Sequence, residues 1–208
     1  MRSYGEFCAL ARALDVVGDR WTLLIIRELA ARPCRFRDLS EGLPGIAANL
    51  LAERLRLLQA EGVITHGQAA TYRLTDRGKA LGPALKALAR WGVPLMARGR
   101  GQAEHRAHWL ALAIGAVFED AAVKPTVRIQ VLTDGGEIEI VAHRDGIEAH
   151  PGRTISPDAT LEGPDELILG ALTGELALAD AEKAGLVVTG SQPALRRLLS
   201  SRHRPAAP

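Results

Sequence analysis

Residues 44–64 read PGIAANLLAERLRLLQAEGVI. After the Pro-Gly turn, Leu50, Leu51, Leu55 and Leu58 recur at helical spacings and predict one apolar stripe along a helix. The polar residues between them fall mostly on the other faces of that helix. Gly62 is placed to end the helix in a left-handed conformation, and a β-branched pair then begins a strand. The segment is therefore predicted to be a short helix with an apolar back and a polar, basic front.

Such a helix, running into a strand, is typical of a winged helix-turn-helix that reads DNA. The alternative is an ordinary surface helix of an α/β domain, and the segment by itself does not separate the two. The sequence on either side of it has to decide between them.

Composition and length limit the class of protein. The 208 residues suffice for one large domain or two modest ones, and 47% hydrophobic with 24% charged residues is ordinary for a soluble globular protein. The chain has no apolar run near the roughly 20 residues that cross a bilayer, and no signal-peptide pattern. We therefore expect a cytoplasmic protein without a membrane segment. Two cysteines, Cys8 and Cys34, suit neither a disulfide framework nor a zinc site.

The charge differs between the halves of the chain. Residues 1–104 hold 16 Lys and Arg against 10 Asp and Glu, whereas residues 105–208 hold 10 against 14. The basic first half is therefore the half expected to meet a polyanion.

The chain before residue 99 predicts a winged-helix order of elements. Helices are expected over 8–17, over 22–29 and over 34–43, the last with Phe36 and Leu39 inward. After the 44–64 segment, a short hairpin with a loop at 67–70 would form the wing. A single helix is then expected over 76–99, capped by Thr75-Asp76. Its apolar stripe suggests a dimer seam or a face that the second domain covers, and it consists of Leu81, Leu85, Leu88, Trp91 and Leu95.

The rest of the chain predicts an α+β domain, with the boundary at the glycine-rich residues 98–106. The predicted bounds are thus 1–98 for the DNA-binding and dimerisation domain and 106–202 for the second domain. The elements expected in the second domain are a helix over 109–119, strands over 124–132, 137–142, 146–150 and 158–163, helices over 163–174 and 176–185, a strand over 186–189 and a last helix over 193–200.

The first half resembles the HxlR-type winged-helix regulators of bacteria, and the resemblance covers nearly all of residues 7–95. The matching motifs are Cys8 at the first helix, GDRWTLLIIREL at 18–29, RFRDL at 35–39, LPGI at 43–46, RLRLLQAEGVI at 54–64, and YRLTDRGKAL at 72–81 followed by Trp91-Gly92. This resemblance implies a transcription regulator. It favours the DNA-reading interpretation of the 44–64 helix over the surface-helix alternative.

The second half resembles a sterol-carrier-protein type domain. The resemblance lies in PDATLEGPDELILGALTGELALADAEKAGLVVTGSQPALRRLL at 157–199. That family is known for an apolar tunnel that holds lipid or other hydrophobic molecules. The resemblance implies a pocket, and the residues expected to line it are Trp109, Leu112, Phe118, Ile168, Leu172, Leu176 and Val188.

In the winged-helix interpretation, the 44–64 helix enters the major groove with its N-terminal residues nearest the bases. Asn49 is the best candidate for a base edge, because its amide can pair with adenine. Arg54 is a candidate for a phosphate or guanine contact, with an intramolecular ion pair as the alternative. The other predicted DNA contacts are Glu53 and Arg56 on the same helix, Arg35 and Arg37 on the preceding helix, and His66, Gln68 and Arg73 at the wing.

The chain departs from the HxlR pattern in two places. Ala47 and Ala52 stand where relatives usually carry Ser or Thr, so fewer hydroxyl groups face the DNA. Either the operator differs from that of relatives, or shape readout carries more of the recognition. The wing also lacks a Pro-Pro-Arg-like extension, so its reach into the minor groove is short.

Cys8 occupies a position that some relatives use as a redox switch, and the alternative is a small buried residue at a helix start. His143 and His150 flank a turn, but a metal pair there is not favoured. No set of residues suits catalysis, and neither a cofactor nor a metal is predicted.

The sequence therefore predicts a homodimeric regulator, expected to be a repressor, that binds a palindromic operator in double-stranded DNA and senses a hydrophobic small molecule. The alternative is a lipid-binding or carrier protein whose helix-turn-helix serves mainly for dimerisation.

Overall fold

The computed structural model describes residues 3–98, 101–119 and 121–202, with the side chains of residues 97 and 98 left out. The chain divides into two compact units, Met1–Leu85 and Lys86–Pro208. This division falls ahead of the glycine-rich segment at 98–106, and the domain bounds 1–98 and 106–202 stay a prediction. Within the described residues, no helix is long and apolar enough to cross a membrane.

The first unit consists of short helices and a small antiparallel sheet with the strand order β1-β3-β2. Its core is built from apolar residues of five of these helices, all except α5, and includes Ile25, Ile26, Leu39 and Leu51, each with no exposed surface. The elements are α1 (Ala9–Val17), α2 (Thr22–Ala31), β1 (Cys34–Arg35), α3 (Phe36–Gly42), α4 (Ala48–Ala60), β2 (Ile64–His66), a 3-10 turn (Gln68–Ala70), β3 (Thr71–Leu74), α5 (Asp76–Lys79) and α6 (Gly82–Gly92), which crosses the division.

The predicted helix over 34–43 is wrong at its start. Cys34 and Arg35 form the strand β1, which pairs with Tyr72 and Thr71 of β3. Arg35 then caps α3, and its backbone N–H donates to the Asp38 carboxylate at 2.7 Å. A two-residue strand carries no periodicity of its own, so the sequence pattern here indicates only the helix that follows.

Helix α4 confirms the apolar stripe predicted for the 44–64 segment. Leu51, Leu55 and Leu58 are buried on its back, while Leu50 is half-buried. The helix ends as expected, with Gly62 in the left-handed conformation at φ +67°. The following hairpin pairs Ile64 with Leu74, which confirms the predicted wing.

Thr75 joins the end of α4, the wing and α5. Its hydroxyl donates to the Gly62 carbonyl at 2.6 Å, and its backbone N–H donates to the Val63 carbonyl at 3.0 Å. The same hydroxyl oxygen accepts the Gly78 N–H at 3.1 Å and so caps α5 as predicted. Any side chain at Gly78 would collide with the Val63 carbonyl, so this close approach requires glycine there.

The single helix predicted over 76–99 is wrong, because the chain breaks it twice. It consists of α5, α6 and a 3-10 helix over Val93–Arg98. Pro83 lacks a backbone N–H and its ring clashes with the preceding turn of a helix, so a new helix starts at Gly82-Pro83. Helix α6 ends at Gly92, and Pro94 opposes its continuation for the same reason as Pro83.

The second unit is a five-stranded sheet with helices. Every element predicted for it is present, but the strand predicted over 124–132 begins only at Val127 and the helix predicted over 109–119 ends at Val117. The strand order is β6-β5-β4-β7-β8; β4 and β7 run parallel, whereas the other neighbours are antiparallel. The fold of the chain is α+β, as predicted. The elements are α7 (Ala107–Val117), β4 (Val127–Thr133), β5 (Gly136–His143), β6 (Gly146–Pro151), β7 (Ala159–Glu162), α8 (Asp165–Thr173), α9 (Leu178–Lys183), β8 (Val187–Gly190) and α10 (Gln192–Ser200).

The strands of the second unit alternate between a buried and a polar face. Ile129, Ile140 and Leu161 have no exposed surface and belong to one core with residues of α7, α8 and α10. On the opposite face, the buried amide of Gln130 accepts the Thr154 N–H and donates to the Ile138 carbonyl. The core of this unit is separate from that of the winged helix.

Candidate nucleic-acid interface

The front of α4 is exposed and carries few polar side chains. Ala47 precedes the helix in an extended conformation and gives it no side-chain cap. Asn49 is exposed, and its Oδ1 accepts the Leu50 N–H at 2.9 Å. Among the residues that the structure describes, its Nδ2 has no partner, so two N–H donors stand at the exposed N-terminal end of the helix. This is the arrangement that a base-edge contact requires.

The two arginines of α4 lie in different surroundings. Arg54 is only 14% exposed, and its guanidinium lies 3.1 Å from Asp19 and 3.8 Å from Glu53. These contacts are the intramolecular ion pair that is the alternative to a DNA contact. Arg56 is exposed, and no described residue forms an ion pair with it. Arg56 is therefore the α4 arginine that is available to a phosphate, while Arg54 holds the helix in place.

Asp19 is a positioning residue that the sequence analysis missed. Its carboxylate accepts the Trp21 N–H at 3.1 Å at the start of α2 and also faces Arg54. It thereby ties the turn between α1 and α2 to α4. An acidic residue just before a helix signals an N-cap, but no local pattern connects it with an arginine so far along the chain.

The two arginines of α3 and its N-cap that are predicted to contact DNA are both exposed. Arg35 lies at the junction of β1 and α3, and Arg37 lies in the first turn of α3. The Arg37 side chain donates to Glu41 at 2.7 Å, and this hydrogen bond raises the pKa of Arg37. A fully exposed pair of this kind contributes little to stability, so a phosphate group can replace Glu41 at small cost.

The wing presents three further predicted contacts. His66 packs edge-on against Tyr72 with ring centroids 4.6 Å apart, and Arg73 is exposed in β3 opposite Thr65. Gln68 is exposed in the turn between the strands. The next two residues, Ala69 and Ala70, both adopt left-handed conformations with φ near +55°. Side chains rarely take this conformation because Cβ crowds the following carbonyl, so the tip of the wing is locally strained.

The apolar residues predicted to line a ligand pocket lie in or beside the second core. Phe118, Ile168 and Leu172 are buried within it, and Leu176 and Val188 pack against it. Trp109 and Leu112 are half-buried on α7. Of the seven, Leu176 also lines a described pocket, of about 200 Å³, beside α8. A role in ligand binding stays a prediction for all of them.

The two cysteines differ in exposure. Cys8 is exposed at the start of α1, so its interpretation as a small buried residue is wrong. Cys34 is buried, its thiol donates to the Arg32 carbonyl at 3.3 Å, and burial raises its pKa. A thiol held in the protonated form is a poor nucleophile, so Cys34 is protected from oxidation.

The two histidines at the predicted turn both lie near Glu148. His150 is 3.4 Å from its carboxylate and His143 is 3.9 Å from it. Over the described residues, no group of three or more His, Cys, Asp or Glu side chains is arranged to hold a metal ion.

Comparison with known proteins matches the winged-helix part of the chain. The family model described as HxlR-like helix-turn-helix matches residues 16–99. YvaP, an uncharacterized HTH-type transcriptional regulator of Bacillus subtilis, is 35% identical over 95 residues, which cover 42% of this chain and 88% of that protein. Rv3095, an uncharacterized HTH-type transcriptional regulator of Mycobacterium tuberculosis, is 37% identical over 99 residues, which cover 45% of this chain and 62% of that protein.

Among solved structures, the quinone-bound YodB from B. subtilis is 32% identical with a TM-score of 0.39, covering 41% of this chain and 97% of that chain. The family match ends at residue 99, so the sheet of the second unit lies outside it.

Proposed function

The chain belongs to the HxlR-like helix-turn-helix family of DNA-binding transcriptional regulators, and from this we propose that it acts as a homodimeric repressor whose second unit senses a hydrophobic small molecule. The observation that carries the DNA-reading part is the front of α4. Asn49 and Arg56 are exposed there, while the back of the helix is fixed in the core by Leu51, Leu55 and Leu58. We further propose that the protein is cytoplasmic, because this function requires access to DNA.

The proposed reading mode rests on few direct contacts. Asn49 would pair with an adenine in the major groove, and Arg56 would contact a phosphate or a guanine. Ala47, Ala48 and Ala52 offer no hydrogen bonds from their side chains to either. Arg35, Arg37 and the wing residues would then hold the backbone, so the shape of the operator carries a large share of the specificity.

Exposed apolar side chains support the homodimer. Leu10 on α1 and Trp91 on α6 are 67% and 74% exposed, and Phe7 and Leu88 are also exposed on or beside the same helices. Apolar surface of this kind is costly to leave in water and is typical of an interface. Two copies related by a two-fold axis would bind the half-sites of a palindrome about one helical turn apart, roughly 34 Å.

Ligand sensing is proposed from the resemblance of the second half to sterol-carrier-protein type domains and from the apolar character of its helices. A ligand that binds one dimer geometry better than another would shift the population between DNA-competent and incompetent forms. The second candidate function, a lipid carrier whose helix-turn-helix only dimerises, is favoured by the few polar groups on the front of α4.

The test is a binding titration on operator and on unrelated DNA at several salt concentrations. The full chain should prefer operator and lose affinity steeply with salt. Asn49→Ala should reduce discrimination at one base position by about 1–3 kcal/mol, whereas Arg56→Ala should weaken binding to all sequences and lower the salt slope by about one.

Gln59→Ala, near the other end of the same helix, is the matched control and should change neither quantity. Equal affinity of the full chain for operator and unrelated DNA would refute sequence-specific reading and favour the carrier function. Unchanged discrimination in Asn49→Ala would mean that α4 docks in another orientation.

A further inference from the structure

The second unit contains a small pocket beside α8, with a volume of about 200 Å³. Its apolar wall is made by Val93, Met96, Leu169 and Leu176. This volume lies below the roughly 300–1,000 Å³ of sites for drug-sized ligands, so the pocket suits a molecule with a single small apolar group.

The ionisable side chains described along this pocket are both acidic. Among its described lining residues, Glu166 and Glu175 are the ionisable ones, and both are exposed carboxylates. Neither carboxylate lies within ion-pair distance of a cationic side chain in the described part of the chain. The neighbouring Arg202 donates instead to the Ala171 carbonyl at 3.4 Å, and its guanidinium lies against Gly174.

The shape of the pocket depends on a glycine. Gly170 lies in the middle of α8, and a Cβ there would come within 3.2 Å of the Leu176 Cβ. The missing side chain lets Leu176 fold back against the helix and leaves the space above both residues open. The pocket is thus formed by side chains of α8 and of the segment after it, together with Val93 and Met96.

We propose that this pocket binds a small organic cation, an apolar group that carries a protonated amine. The apolar group would lie between Met96, Leu169 and Leu176, and the ammonium group would pair with Glu166 or Glu175. An amine cation donates charge-assisted hydrogen bonds to a carboxylate, and a neutral or anionic molecule of the same shape does not.

The position of the pocket also suggests its use. Val93 and Met96 belong to the 3-10 helix that directly follows α6 in the chain, and α6 carries the exposed Leu88 and Trp91. A bound cation therefore contacts the segment that continues the proposed dimer helix. The use of the cation as the effector rests on the proposed regulatory function, whereas its binding does not.

Calorimetric titration of the full chain with three probes of equal length tests the proposal. The probes are 2-phenylethylamine as the cation, 2-phenylethanol as the neutral molecule and phenylacetate as the anion. The amine should bind at least about tenfold more tightly than the alcohol, and the anion most weakly.

The double variant Glu166→Gln with Glu175→Gln should lose the preference for the amine while it still binds the alcohol. The matched control, Glu162→Gln with Glu182→Gln, removes the same charge from exposed positions outside the pocket and should keep the preference. Met96→Trp, a change at an exposed side chain, should fill the pocket and weaken both ligands.

Equal affinity for amine and alcohol, or a preference that survives in the Glu166→Gln/Glu175→Gln variant, would overturn the proposed site. A separate experiment measures operator affinity with and without the amine. An amine that binds at Glu166 and Glu175 but leaves operator affinity unchanged would refute its role as effector and leave the binding site standing.

Discussion

Two regions of the chain differ in how many large apolar side chains they expose. One is the sheet region, with its helices, and the other comprises the helices that flank the winged helix. In the sheet region, strands and helices cover each other, and only Ile155 and Val187 are strongly exposed among its described large apolar residues. Residues at and near α1 and α6 expose many more: Tyr4, Phe7, Leu10, Leu14, Leu88, Trp91, Leu95 and Met96. The sheet region thus covers most of its own large apolar side chains, whereas the flanking helices leave apolar side chains exposed that a second copy would cover in the proposed homodimer.

The largest effect on stability is expected from substitutions that create a cavity in one of the two cores. Leu55→Ala in α4 should lower the free energy of unfolding of the first unit by about 2–5 kcal/mol, because a fully buried leucine leaves a cavity. Ile140→Ala in β5 is the matched change in the second unit. Hydrogen exchange measured by mass spectrometry should show faster exchange mainly in the unit that carries the change. A loss of protection spread equally over both units would mean that the two cores act as one.

The next effect concerns the exposed flanking helices. If the proposed homodimer forms through these helices, Trp91→Ala should weaken it by about 2 kcal/mol, roughly 30-fold, because large aromatic side chains dominate interfaces. Sedimentation equilibrium measures the change. Ile155→Ala removes an even more exposed apolar side chain from the sheet region and should leave the proposed dimer intact. If both variants behave alike, exposed apolar residues do not mark the interface.

A smaller effect is expected at the uncapped start of α4. Ala47→Ser supplies the missing side-chain acceptor and should raise the free energy of unfolding of the first unit by about 1 kcal/mol. The same change inside the helix, Ala52→Ser, should instead lower it by about 0.5 kcal/mol, because serine is a poorer helix former than alanine. Urea denaturation distinguishes the two, and equal effects would show that α4 does not start at Ala48.

The smallest expected effect concerns the segment just before α1, which is hydrogen-bonded to Asp15. Asp15 accepts the Tyr4 N–H at 2.9 Å and the Ser3 hydroxyl at 2.7 Å, and these hydrogen bonds lower its pKa from the ordinary value of 3.8. Because the folded pKa lies below the unfolded one, this contribution is present above about pH 4 and is lost as the pH falls through the folded pKa. An NMR titration of the Asp15 carboxyl should show the depressed pKa, and Asp15→Asn should speed Tyr4 amide exchange at neutral pH. A pKa at the ordinary value would show that Asp15 does not hold this segment.

Periodic elements could be predicted from the sequence, because each carries its pattern within a few turns. The stripe of α4 and the alternation in β4 and β5 are examples. The strand β1 could not, since two residues show no period, and its existence depends on β3 far along the chain. The parallel pairing of β4 with β7 likewise depends on the course of the connection between them. Gly82-Pro83 marks the break in the sequence, but the apolar stripe continues across it and favours a single helix.

The candidate site shows the same limit. The exposure of Asn49 and Arg56 follows from their spacing relative to Leu51 and Leu55. The ion pair of Arg54 with Asp19 does not follow from any local pattern, because it depends on how two helices pack. Exposure of Cys8 was also beyond the sequence, since a residue at a helix start can face either way.

Thr75 has a mechanical consequence for any regulator built on this fold. Its side chain and backbone donate to the Gly62 and Val63 carbonyls, just after α4, and its hydroxyl caps α5. Gly78 allows α5 to approach the Val63 carbonyl closely. Helix α4, the wing and α5 should therefore move as one rigid body. In the proposed homodimer, a change in the distance between the two α4 helices would therefore have to arise after Lys79, where α5 ends and the chain continues to α6.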